Sequence, residues 1–138
     1  ADVLAAEPSF VQDRWHARLY FLAPVLRVAL ATVWIASGLV GFVTPMTDAQ
    51  RVLDAAGLPG GTALVYGASS IDLLLGVLLL LRRCVGVVGA LMLLSLLAYT
   101  LLIGTSSPGA WLDPFGGLLK NIALLPAVAV MMVLEQHR

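Results

Sequence analysis

The chain is 138 residues long, 60% hydrophobic and only 12% charged, with eight basic and eight acidic side chains and a mean hydropathy of +0.97. Soluble domains carry about a quarter charged residues, so this composition excludes an ordinary soluble domain and predicts an integral membrane protein, while zero net charge leaves no basic footprint for nucleic acid. Cys84 is the single cysteine, which excludes an internal disulfide, a Cys-x-x-Cys redox centre and a thiolate metal cluster.

Residues 1–8 read as a flexible tail. Residues 9–22 read as an interfacial amphipathic helix: Ser9 and Gln12 have capping-box spacing, and Val11, Trp15, Leu19 and Leu22 share a face opposite Asp13, Arg14 and Arg18. A membrane domain follows over residues 23–138. Its first span covers residues 24–43, with Arg27 near the start and Arg27, Trp34, Ser37 and Gly41 on one side. Ser37 and Gly41 form a small-x-x-x-small pair suited to close helix approach.

Thr47 and Gln50 repeat the capping-box spacing before a short helix that lies flat on the membrane. Its apolar stripe is Ala49, Val52, Leu53 and Ala56, its wet face Asp48, Arg51 and Asp54, and its stop Gly57. The second span, residues 62–81, carries one charge, Asp72. At about 100° per residue Thr62, Tyr66, Ser69, Ser70, Asp72 and Gly76 fall in one arc, with Leu64, Ile71, Leu74, Leu75 and Leu78 opposite. A carboxylate at the centre of a membrane helix costs roughly 2.5 to 3.5 kcal/mol on insertion scales, so Asp72 is predicted to face protein and find a partner.

Arg82 and Arg83 close this span. The third covers residues 84–104, with Met92, Ser95 and Tyr99 on one face. A loop containing Trp111 and Asp113 is expected to form tight turns, and the fourth span covers residues 115–134 with Lys120 and Asn121 one turn inside and a kink at Pro126. The expectation is an all-α, antiparallel four-helix bundle with short interfacial helices. Arg14, Arg18, Arg27, Arg82, Arg83 and Arg138 all fall on one side of such a bundle, which places both termini in the cytoplasm.

His16 and His137 lie outside the spans and read as surface imidazoles, and there is no nucleotide-binding or nucleophile-elbow motif. No metal site is predicted.

The segments QDRWHARLY, WIASGLVGF, YGASSIDLLLGVLLLLRR and WLDPFGGLLKNIALL resemble the DoxX-like family of small four-helix membrane proteins, over nearly the whole chain from Gln12 to Leu134. The resemblance is closest to the branch often fused behind a short-chain dehydrogenase-like domain. It leaves the chain readable as a stand-alone protein or as a piece of such a fusion. It implies a bacterial inner-membrane location and an association with sulfur and quinone redox systems, and it supplies no defined activity. The family's recurrent polar features map to Asp72, Pro114, Phe115, Gly116, Lys120 and Asn121. Family members often carry His before Pro-Phe-Gly, whereas Asp113 stands here, so a proton-transfer role of that His does not carry over.

Depth along the helices groups the polar residues in the outer half of the bundle. Asp72, Lys120, Asn121, Tyr66, Ser69, Tyr99, Trp34 and Asp113 are the candidate ligand-binding residues, with no certain cofactor and quinone as the candidate ligand. An Asp72–Lys120 ion pair that only docks helices is the competing reading. Three functions stay open: a membrane subunit of a redox system that binds a quinone or other small amphipathic molecule, an accessory or assembly subunit of a larger membrane complex, and a small proton-coupled transporter. Membrane lipid, an oxidoreductase partner chain or larger complex, and a second copy of the chain are the expected partners.

Overall fold

A computed structural model describes residues 11–55, 57, 61–106, 108–112 and 117–136. The expected tail over residues 1–8, the Ser9 cap, His137, Arg138 and Asp113 to Gly116 lie outside the described residues. Within them the chain forms α1 (Val11–Val43), α2 (Met46–Ala55), α3 (Gly61–Leu80), α4 (Val85–Ser106), a 3-10 turn (Pro108–Leu112) and α5 (Gly117–Gln136), with no strand among the described residues. Four helices are long and apolar enough to cross a membrane. The fold is an all-α membrane helical bundle.

The interfacial segment and the first span are one helix of 33 residues that runs through Pro24. At about 1.5 Å per residue it is roughly 50 Å long, more than a hydrocarbon core of about 30 Å requires. Pro24 has no N–H to offer the Tyr20 carbonyl, and the rest of the ladder carries the helix across that gap. Trp15, Tyr20 and Phe21 are exposed on the protruding part, suited to the membrane–water interface. Ala23 is the first buried apolar residue among those described in α1.

α2 begins one residue before the expected cap. The Pro45 carbonyl accepts from the Asp48 and Ala49 amides, which places Thr47 inside the first turn. Asp48, Arg51 and Asp54 are exposed, Ala49 and Leu53 are half-buried, and Gly57 ends the segment with φ of 65°.

The spanning helices form a ring in the order α1, α3, α4, α5, back to α1, so α3 and α5 stand diagonally. Lipid is as apolar as leucine, so helix association relies on close packing rather than on expelling water. The α1–α3 pair shows how close. A Cβ on Gly38 would come within 2.7 Å of the Ser69 carbonyl and 2.8 Å of the Leu73 amide nitrogen, and one on Gly76 within 2.9 Å of the Ala31 carbonyl and the Ile35 amide nitrogen. Gly38 thus joins Gly41 at the α1–α3 contact, where a Cβ on Gly41 would meet the Ser69 side chain.

Leu30, Ala31, Trp34, Leu75, Leu79, Val88, Met92, Leu96, Val128 and Met131 form the core. They lie toward the Arg82 end. Leu75 and Leu78, expected on the lipid side, are buried and half-buried against the core because α3 packs on both α1 and α4, a face wider than its polar arc; Leu64, Ile71 and Leu74 are exposed as expected. The turn from α3 to α4 is a Schellman cap, with Arg83 N donating to Leu78 O at 2.9 Å and Arg82 N to Leu79 O at 3.1 Å. Arg82 occupies the left-handed position, φ 56°, that glycine ordinarily fills.

Candidate functional site

Asp72 lies at the twelfth position of α3, about 16 Å along the helix from Gly61. Its partner is on α1: Ser37 Oγ donates to Asp72 Oδ2 at 3.0 Å. The close α1–α3 approach permits this contact, because Gly38 and Gly76 bring the backbones within reach of a short serine side chain. Asp72 is half-buried and Ser37 exposed, so the pair sits at an edge of the α1–α3 interface rather than in the bundle centre. Oδ1 has no hydrogen-bond or ionic partner among the described residues.

Ser69 is buried one turn away. Its hydroxyl donates to the Val65 carbonyl at 2.8 Å and lies where a side chain on Gly41 would go, so it belongs to helix packing. Ser70 likewise donates to the Tyr66 carbonyl. Tyr66 stacks on Phe42 with ring centroids 5.7 Å apart and stays 41% exposed.

The other candidates are elsewhere. Trp34 is buried in the apolar core. Asn121 Nδ2 donates to Thr100 Oγ1 at 2.9 Å and ties α5 to α4. Lys120 is exposed, Tyr99 is 56% exposed, and Asp113 lies outside the described residues. Among the described residues no ion pair joins Asp72 to Lys120. Their helices stand diagonally in the ring, and the ring order is not visible in the sequence. Beyond α4, Trp111 Nε1 donates to the Gly104 carbonyl at 3.0 Å, so the tight turn folds back onto the end of that helix.

The strongest polar cluster joins residues that the sequence does not bring together. Glu135 on α5, with its side chain only 1% exposed, receives Arg27 Nη1 of α1 on Oε1 at 2.9 Å and has Arg82 Nη2 3.0 Å from Oε2. The Arg82 approach is an ion pair without hydrogen-bond alignment, since Oε2 is buried and lacks a hydrogen-bond partner. Arg27 Nε is similarly buried and unbonded. Each arginine alone reads as a charge at a helix boundary. The available signal was Glu135 itself, the only acidic residue among the last twenty of the chain.

These features define a multi-pass helical membrane protein whose polar chemistry is split between a carboxyl at the α1–α3 edge and an ion cluster at the Arg82 end. The sequence profile of the DoxX-like family matches residues 31–129, which include α3, α4 and Asp72, and the chain belongs to that family. No curated protein and no solved structure matches it significantly.

Proposed function

We propose that the protein is a membrane subunit of a redox system that takes a quinone or another small amphipathic molecule from the lipid phase at the Ser37–Asp72 edge. One observation carries this reading. A carboxyl is set deep in an apolar span, with Oδ2 held by Ser37 and Oδ1 left without a protein partner. Such a group in hydrocarbon requires a polar occupant beside it. A quinol hydroxyl can donate to Oδ1, or a protonated Asp72 can donate to a quinone carbonyl. The location proposed is the bacterial inner membrane with both termini cytoplasmic, following the basic residues at that end.

An accessory-subunit reading has its own support: no second ionisable group stands beside Asp72 among the described residues, and a polar residue on a partner's helix would satisfy Oδ1 equally well. A short-tailed quinone analogue added to delipidated protein separates the two. A concentration-dependent rise in melting temperature that disappears in Asp72→Asn and Ser37→Val supports the ligand reading. A rise that persists in both variants places binding elsewhere, and no rise with any head group favours the partner-chain reading.

A further inference from the structure

At the Arg82 end, Arg82, Val85, Gly86, Met132 and Glu135 line an open groove of about 470 Å³ between the α3–α4 turn and the last turns of α5. Its floor is apolar. Met132 lies across Gly89, where the absence of a Cβ leaves it room, and Gly86 has no heavy atom within 4 Å of where a Cβ would stand. Its upper edge is basic: Arg82 is held beside Glu135 through Nη2 alone, its side chain remains 48% exposed, and Arg83 follows with an exposed side chain that has no partner among the described residues.

We propose that this groove binds the head group of an anionic phospholipid, with the phosphate on the Arg82 guanidinium and the upper acyl chain along Val85 and Met132. A guanidinium has five N–H donors in a fork suited to phosphate, so one contact to Glu135 leaves donors for a second anion. Charge also favours the anion. Arg27, Arg82 and Arg83 against Glu135 leave a net positive end, since the Glu135 carboxylate, although it lines the groove, is shared between Arg27 on Oε1 and Arg82 on a buried Oε2. The apolar floor distinguishes a lipid from a free phosphate, which would leave Val85 and Met132 uncovered. Basic pockets between spanning helices are a recurrent form of lipid head-group site.

The test uses the full chain, delipidated in mild detergent, with phosphatidylglycerol, phosphatidylcholine or inorganic phosphate added separately. Phosphatidylglycerol is expected to raise the melting temperature by several degrees more than phosphatidylcholine, and inorganic phosphate not to reproduce that rise. Gly86 lines the groove and has open space where a Cβ would stand, so Gly86→Leu should fold and melt close to the parent without lipid but, by filling part of the groove, lose the response to phosphatidylglycerol. Arg83→Gln should weaken the response about fivefold through the loss of one nearby positive charge. Equal responses to the two lipids, or a full response in Gly86→Leu, overturn the proposal. A response reproduced by inorganic phosphate overturns the lipid assignment.

Discussion

Glycine and serine set the distance between α1 and α3, and that distance in turn makes the Ser37–Asp72 bond. A Cβ on Gly38 meets backbone atoms of Ser69 and Leu73, which cannot rotate away. Gly38→Ala should therefore destabilise by about 1–3 kcal/mol, because the helices must part to admit the methyl group. Gly67→Ala is the control. It lies on α3 with nothing within 4 Å of its added Cβ and should melt at or slightly above the parent temperature in the same detergent. An equal loss in both would show that the α1–α3 approach is looser than described. Residue identity made Asp72 legible, since one charge in a span is visible without a structure. Its partner was not, because serine at position 37 reads equally as packing or as donor.

Helices were the most legible level. Their existence followed from apolar length, and α3, α4 and α5 begin and end within two residues of the expected spans. Two features escaped. Pro24 marks the expected start of the first span, yet the ladder of α1 continues through it, and the partners of Glu135 are on α1 and at the α3–α4 turn, far away in sequence. The Glu135 cluster joins three elements, so it should couple them. Glu135→Leu leaves Arg27 buried without its counter-ion and should cost on the order of 3–5 kcal/mol, whereas Arg27→Met with Glu135→Leu should recover most of that loss. The half-exposed Arg82 contributes less to the cycle. Additive losses of the two single changes in detergent melting would mean that the Arg27–Glu135 contact is not energetically coupled.

At the scale of the whole molecule, four spans put the α3–α4 turn and the 3-10 turn on opposite faces of the membrane. Native Cys84, exposed at the first turn, and a cysteine replacing Gly109 in a Cys84→Ala background should label with an impermeant reagent from opposite sides. Labelling from the same side would contradict the four-span arrangement. If Cys84 is the cytoplasmic one, the orientation drawn from the basic residues holds as well. What the sequence could not show was the order of helices around the ring. Asp72 lies roughly 15 Å deep and Lys120 roughly 6–8 Å, a gap that a lysine stem can mostly cover, so depth allows a pair; α3 and α5 are diagonal, and the ring keeps the two apart.

The central claim is that Asp72 holds a small molecule drawn from the lipid phase rather than a partner chain, and native mass spectrometry of the protein released from mild detergent reads both outcomes at once. The expected result is a bound species of quinone-like mass on the parent protein, reduced at least about tenfold in occupancy in Asp72→Asn as one charge-assisted hydrogen bond is lost. A small-molecule adduct unchanged by Asp72→Asn, or a co-purifying protein chain that this substitution releases, would contradict it.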